Sequence, residues 1–269
     1  MNYDPIKRSL GTFFNSSPVL RKLFYSLLNL LFLRAWHILK AIKLWGNTKS
    51  TQATILDAGS GFGQYSYFMA HRNSLWKVLG IDVKEEQIAD CNAFAKQIGY
   101  ENRMSFKVGD LTEYIASEPV DLILSVDVME HIADDEQVFR NFYLSLKQGG
   151  TLLISTPSNL GGSDVHDGDG ESFIGEHVRD GYSKEDITEK LQRAGFSDIN
   201  VSYSYGTVGH ISWILSMKLP ISLLNISKLF FILLPFYYIA IFWLCLILNT
   251  IDVLCEQPQG SGLIVKANK

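Results

Sequence analysis

From residue 52 to residue 205 the chain alternates short β-rich runs with longer stretches of helical periodicity. The β-rich runs lie at 54–57, 77–82, 103–108, 121–126 and 151–155, and a sixth follows at 199–205. Strands separated by helix-length segments predict βαβ units in a doubly wound α/β domain, because parallel neighbours need a crossover that carries the chain back to the starting edge. The helical stretches carry stop signals: Gly99 closes the one beginning at Lys84, Gly149 and Gly150 the one ending at Lys147, and Gly195 the one ending at Ala194. Ser183 with Asp186 three residues later predicts a capped start for that last helix. A seventh strand, 262–267, ends the sequence, and no internal repeat interrupts the pattern.

Composition changes this picture in one respect. The mean hydropathy is +0.08 although 19% of residues are charged, so the apolar residues are concentrated. Residues 19–45 are rich in Leu, Phe and Trp and carry only positive charges, Arg21, Lys22, Arg34, Lys40 and Lys43. Residues 219–251 carry a single charge, Lys228. No small-residue cleavage site follows the first stretch, which argues against a signal peptide. The net charge of −4 and a pI near 5.9 argue against nucleic acid as a partner, since that needs a basic footprint on phosphates. Cys91, Cys245 and Cys255 form no close pair, the usage of a reducing compartment.

The candidate chemistry lies where strands end. The first runs into Asp57-Ala58-Gly59-Ser60-Gly61-Phe62-Gly63-Gln64-Tyr65. Without side chains at Gly59, Gly61 and Gly63 the backbone can turn sharply and let a ligand lie against it. Gln64 breaks the dinucleotide fingerprint, which disfavours a nicotinamide-dependent reductase. Asp82 ends the second strand, nineteen residues after Gly63, where a carboxylate can accept both ribose hydroxyls. Gly109-Asp110-Leu111 ends the third strand, and Asp127-Val128-Met129-Glu130-His131 follows the fourth. All four loops belong to the sheet edge where open α/β folds bind ligands.

On these residues the chain resembles the class I S-adenosylmethionine-dependent methyltransferases, especially the small-molecule group that includes quinone and sterol methylases. The resemblance spans roughly residues 52–205 plus the terminal strand and is strongest in 57–63. It implies a Rossmann-like seven-stranded sheet with an antiparallel last strand and S-adenosyl-L-methionine as cofactor. Asp57 and Gly59 would then lie near the cofactor's methionine part, with Ser60, Gly61, Gly63 and Tyr65 completing the loop. Asp82 with Val83 would hold the ribose, Asp110 with Leu111 would flank the adenine, and Asp127 would line the far side. The alternative for these acids is that they cap helices.

Methyl transfer from a sulfonium is an in-line displacement governed by alignment, so no nucleophilic side chain is required. For a hydroxyl acceptor a general base helps, and the histidines in acceptor-side loops are His131, His166 and His177. His131 can equally pack the cofactor floor. His177 is the preferred candidate, and Tyr182, like Tyr65, could orient the acceptor unless its ring is used for packing. Asp167, Asp169, Gly170 and Glu176 have calcium-loop spacing, but Val165 stands at the first ligand position, so a solvated lid is the better reading and no metal is expected.

The two apolar segments complete the domain plan. Residues 1–48 form an N-terminal amphipathic helical region, 49–206 and 259–269 the methyltransferase-like domain, and 207–258 a hydrophobic helical insertion. If strands six and seven share one sheet, the insertion must leave and return on the same side of a bilayer. A helical hairpin bent near Pro235 is therefore predicted, each arm about 24 Å long, in one leaflet or on the surface. The soluble alternative is a helical cap or a homodimer interface. A basic N-terminal helix with Phe24, Leu27, Leu31, Trp36 and Trp45 adds a second anchor, or else forms a lid over the cofactor. These features predict methylation of a lipophilic acceptor (a lipid, quinone or polyketide-like molecule) by a monotopic or peripheral protein on the cytoplasmic face of a membrane. The competing reading is a catalytically silent, membrane-associated scaffold.

Overall fold

The structure is a computed structural model that describes residues 17–48, 52–161 and 178–269. Its sheet comprises β1 (Ala53–Ala58), β2 (Trp76–Asp82), β3 (Met104–Val108), β4 (Val120–Val126), β5 (Leu146–Pro157), β6 (Ser197–Ser204) and β7 (Gly262–Asn268), in the order β3-β2-β1-β4-β5-β7-β6. β1 to β5 run parallel, and β7 lies antiparallel between β5 and β6. Every predicted strand is present, and the antiparallel last strand is as expected. The central strands β1 and β4 are nearly continuous in buried residues, as strands covered on both faces must be. One face packs Leu56, Ile123, Phe139 and Leu152 against α5 (Asp135–Ser145) and α6 (Lys184–Ala194). The Ser183 cap is formed, with Asp186 N donating to Ser183 Oγ at 3.0 Å.

The other face carries α3 (Gln64–Arg72), α4 (Glu85–Gln97) and the N-terminal region, with Ile38, Ile42, Ile55, Trp76 and Phe94 in its core. The N-terminal region is two helices, α1 (Pro18–Leu31) and α2 (Leu33–Thr48), separated at Phe32, whose backbone is extended. Trp45 is 3% exposed and meets Trp76 edge-on at 5.2 Å, so it belongs to the core and is not a lipid anchor. Arg21 is buried as well, donating from Nη1 to Asp90 O and from Nη2 to Phe62 O, both at 2.9 Å. α1 is thereby fastened to the glycine loop, while Val19, Leu23, Leu27 and Leu30 stay exposed.

The insertion is a hairpin of two arms, α7 (Thr207–Ile226) and α8 (Leu234–Leu254). α7 contains one wider turn at Ile214–Lys218. The bend falls on Ser227 to Leu233, ahead of Pro235, which occupies the first turn of α8. The bend thus lies near Pro235, as expected, and the proline itself opens the second arm: a missing N–H is harmless in the first turn, whose amides have no intrahelical acceptor. The first arm also starts earlier than its apolar run, at Thr207.

The arms are pinned at their base. Asp252 is fully buried, and its Oδ2 accepts from Gly206 N at 2.8 Å and Gly209 N at 3.1 Å. Its Oδ1 accepts from Tyr205 N at 3.2 Å and lies 2.7 Å from His37 Nε2 on α2. A Cβ at Gly209 would stand 2.4 Å from Asp252 Oδ2, so the carboxylate can reach the amide only because residue 209 is glycine. Ser212 Oγ and Asn249 Oδ1 pair at 2.6 Å one turn further out. Asp252→Ala strands these buried amides, and loss of about 1–3 kcal/mol per unsatisfied donor is expected. The check is the urea midpoint, with Ile239→Ala on the exposed face as the unaffected control.

Candidate active site

β1 pairs with β2 on one side and β4 on the other, so the chain reverses its winding direction there and a crevice opens at the carboxyl ends. The glycine loop forms its floor. Gly59, Gly61 and Gly63 have φ of 79°, 49° and 75°. Gly59 N and Ser60 N both donate to Ile81 O, at 2.8 and 3.0 Å, which stitches the loop to β2. A Cβ on Gly59 would lie 2.2 Å from Val128 Cγ2, so the loop after β4 presses directly on this position. Gly61, in contrast, has nothing closer than Gln87 Oε1 at 4.0 Å, and its α-carbon surface is open. Ser60 Oγ is buried without a hydrogen-bond partner.

Asp57 is 2% exposed and accepts from Ser66 Oγ at 2.5 Å. Burial pushes its carboxyl up to about 6, against the opposing effect of the Ser66 hydrogen bonds. Asp82 stands at the next strand end, its Oδ2 accepting from Gly61 N at 2.8 Å and its Oδ1 from Lys84 N at 3.0 Å. Val83 beside it is exposed. Asp110 Oδ1 accepts from Thr112 N and Thr112 Oγ1, both at 2.8 Å, in the turn after β3, and Leu111 is buried beneath it. Asp57, Asp82 and Asp110 thus stand at the ends of three neighbouring strands.

The wall after β4 is different in character. Asp127 has φ 51°, and its carboxylate is ion-paired with Arg34 of α2. The Arg34 guanidinium also stands beside the Tyr65 and Tyr205 hydroxyls and Glu130, and Arg34 N donates to Tyr205 Oη at 3.0 Å. Glu130 is 1% exposed, and its Oε2 accepts from Thr156 Oγ1 of β5 at 3.2 Å. Burial holds its carboxyl above the usual range, against opposing effects from hydrogen bonds, His131 and Arg34. His131 follows it and is half-buried, its amide donating to Val128 O at 3.0 Å.

Tyr182 does not belong to this wall. It is fully buried, and its hydroxyl is engaged by Asp135 Oδ2 at 2.7 Å and Met129 O at 3.1 Å. The expectation that it orients an acceptor is corrected: it packs α6 against the loop after β4. His166 and His177 lie outside the described residues, as do Asp167, Asp169, Gly170 and Glu176. Arg34 and Tyr205 escaped the sequence reading. Glu130 could have been found, since an acid directly before His131 in a strand-end loop is a signal in itself.

The residues fit an adenosyl sulfonium on three structural grounds: the open surface at Gly61, the partnerless buried hydroxyl of Ser60, and the carboxylate of Asp82 fixed against the loop. Comparisons agree with the fold. The methyltransferase domain model matches residues 49–195. Phosphoethanolamine N-methyltransferase 1 of Triticum aestivum is 34% identical over 150 residues, covering 54% of this chain and 28% of that protein. Erythromycin 3''-O-methyltransferase of Saccharopolyspora erythraea is 26% identical over 157 residues, 55% of this chain and 51% of that enzyme. The chain therefore matches under a third of the wheat enzyme's length. Phosphoethanolamine N-methyltransferase 2 of Haemonchus contortus, solved with S-adenosyl-L-methionine, shares the fold with a TM-score of 0.57 at 22% identity, covering 81% of this chain and 49% of that one.

The Asp57 carboxyl binds its proton more tightly folded than unfolded, so the ligand-free protein should lose stability as pH rises from 3.8 to about 6. Asp57→Asn is expected to flatten that segment of the profile, read as the urea midpoint at steps between pH 4 and pH 7. An unchanged slope would show that the carboxyl is not buried as described.

Proposed function

The chain belongs to the methyltransferase domain family, and on that footing we propose that it is an S-adenosylmethionine-dependent methyltransferase whose acceptor is a lipophilic small molecule met at a membrane surface. The observation that carries the membrane part is the outer face of the hairpin. Phe236, Ile239, Trp243, Ile247, Ile251 and Leu254 recur every three or four residues along α8 and are 41–71% exposed. An apolar stripe of this length needs a partner or a lipid phase. Leu219, Ile226, Leu229 and Ile232 extend it over α7 and the bend, and Leu23, Leu27 and Leu30 of α1 are exposed too.

The polarity of the hairpin argues for shallow insertion. Ser212, Asn249 and Asp252 are buried at its base, where α8 packs on α2 and Lys40 Nζ donates to Val253 O at 2.6 Å. Further out, the arms hold one another, Tyr237 Oη donating to Leu215 O at 2.6 Å and Tyr238 Oη to Ser216 O at 2.8 Å, and Leu30 and Leu31 of α1 stand beside Tyr238 and Phe242. From Leu234 to Leu244 the outer part of α8 is about 16 Å long, close to half of the roughly 30 Å hydrocarbon core. Both arms return to one sheet, so the reading is monotopic. Lys22 and Lys43 are exposed on the N-terminal helices, and together with Lys40 they favour the anionic cytoplasmic leaflet.

When bound, the cofactor supplies an electrophilic methyl on sulfur. The chain's part is alignment: the glycine loop and Asp82 orient the donor, and Glu130 and His131, beyond Asp127 in the loop after β4, face the acceptor. Glu130 and His131 are the groups there able to hold an acceptor proton. Arg34 stands on α2, to which α8 is fastened through His37 and Asp252.

Replacing Ile239 and Trp243 by Asp puts two charges where the proposal requires hydrocarbon, at about 2.5–3.5 kcal/mol each. Flotation with anionic liposomes should show the vesicle-bound fraction of the double variant falling at least about tenfold. With labelled methyl donor and membranes, the wild type should give an organic-extractable labelled product. Label found only in protein, or no label at all, would sink the lipophilic acceptor.

A further inference from the structure

The Arg34–Asp127 pair stands at one end of the crevice. Asp82 is fixed to Gly61 at 2.8 Å, and that end suits the ribose. The loop after β4 approaches the opposite side of the glycine turn, since Val128, next to Asp127, lies where a Gly59 side chain would be. Tyr65, in the first turn of α3, stands beside Arg34. The two charges therefore sit at the Gly59 end, away from Asp82.

What occupies that end in S-adenosylmethionine is an amino acid, a carboxylate and an ammonium on one carbon. Asp57, the acid first suggested for this end, is a poor partner: its carboxyl is buried, bonded to Ser66 and raised to about 6. Asp127 is 31% exposed and paired with an arginine. Arg34 carries five donors in a planar fork. Its Nε is buried without a hydrogen-bond partner, so the fork is incompletely used. Its backbone is held by Tyr205 Oη, and Tyr205 N in turn by Asp252, which fixes the root of the side chain before any ligand arrives.

We infer that Arg34 and Asp127 form a clamp for the amino-acid end of the cofactor, Arg34 binding its carboxylate and Asp127 its ammonium. The pair is complementary to a zwitterion in both charges. A bound amino acid offers each member of the pair a new partner of opposite charge, so neither charge is left unpaired when the ligand enters, and each new charge-assisted hydrogen bond is stronger than a neutral one. The N-terminal helices thereby become part of the cofactor site. This inference rests on the crevice being the S-adenosylmethionine site.

The experiment is calorimetric titration with two probes that share the thioadenosine: S-adenosylhomocysteine, which carries the amino acid, and 5'-deoxy-5'-methylthioadenosine, which lacks it. Wild type should prefer the former. Arg34→Gln and Asp127→Asn should each weaken S-adenosylhomocysteine by about 10- to 100-fold, the range for hydrogen bonds to charged groups, and methylthioadenosine by less than about threefold. Arg34→Lys, which keeps the charge and loses the fork, should fall between. Equal weakening of both probes by the Arg34 and Asp127 variants, with folding retained by circular dichroism, would mean that the pair only latches α2, and would overturn the clamp. So would unchanged affinities. Wild type binding methylthioadenosine but not preferring S-adenosylhomocysteine would overturn the clamp and leave the cofactor site standing, whereas binding neither would overturn both.

Discussion

β7 is hydrogen-bonded along both edges, to β5 from Thr151–Asn268 to Pro157–Gly262 and to β6 from Ser197–Asn268 to Ser204–Gly262. A strand held on both sides cannot be drawn away without breaking two ladders, so the fifty-odd residues that lead into it must begin and end at the same sheet edge. That constraint makes the insertion a hairpin. It also places the hairpin's base beside α2, where Asp252 can gather Tyr205 N, Gly206 N, Gly209 N and His37 at one carboxylate. An apolar segment that would otherwise be a free anchor is thereby joined to the wall of the crevice.

The same linkage reaches the site through few atoms. Asp252 fixes Tyr205 N, Tyr205 Oη receives Arg34 N, and the Arg34 side chain meets Asp127 at the end of β4. Tyr205 adopts φ 54°, an unfavourable conformation for a residue with a side chain. It is sustained because the backbone is held on one side by a buried carboxylate and the hydroxyl on the other by the helix. On the opposite flank, α1 is fastened to the glycine loop through Arg21 and Phe62 O. Both N-terminal helices thus contact the crevice on one side and carry apolar or basic residues towards solvent on the other.

The strands were legible because a parallel sheet covered on both faces demands unbroken β-branched and aliphatic runs, and these stand out at 54–57, 121–126 and 151–155. The glycine loop and Asp82 were legible because their roles depend on local backbone geometry, which spacing reports. Arg34 was not: its partner lies 93 positions away, and an arginine in a basic amphipathic helix looks the same whether it meets a phospholipid or a carboxylate. Trp45 failed for the matching reason, since an apolar stripe does not say whether lipid or Trp76 will cover it. Pro235 marked the neighbourhood of the bend, although a proline does not show on which side of it the new helix begins. Tyr182 misled because a tyrosine before a capped helix can turn towards a crevice or into the core, and the buried Asp135 carboxylate decides for the core.

Polarity along the hairpin carries the synthesis one step further. A soluble helical cap would bury its apolar stripe against its own domain, and its exposed face would be polar. Here the order is reversed: the residues turned to the domain include Ser212, Asn249 and Asp252, each with a hydrogen-bond partner, and those turned outward are Phe236, Ile239, Trp243 and Ile247. A helix pair with its polar groups paired inside and its apolar groups outside supports the proposed membrane reading, since in a nonpolar surrounding unpaired polar atoms are costly and exposed aliphatic ones are not. The arrangement changes at the base, where Asp252, His37 and Lys40 gather and the surrounding must again be aqueous or protein. The boundary between those two regimes falls next to α2, one helix away from the crevice, so the proposed membrane reading would bring a lipophilic acceptor to the side of the site where Glu130 and His131 stand.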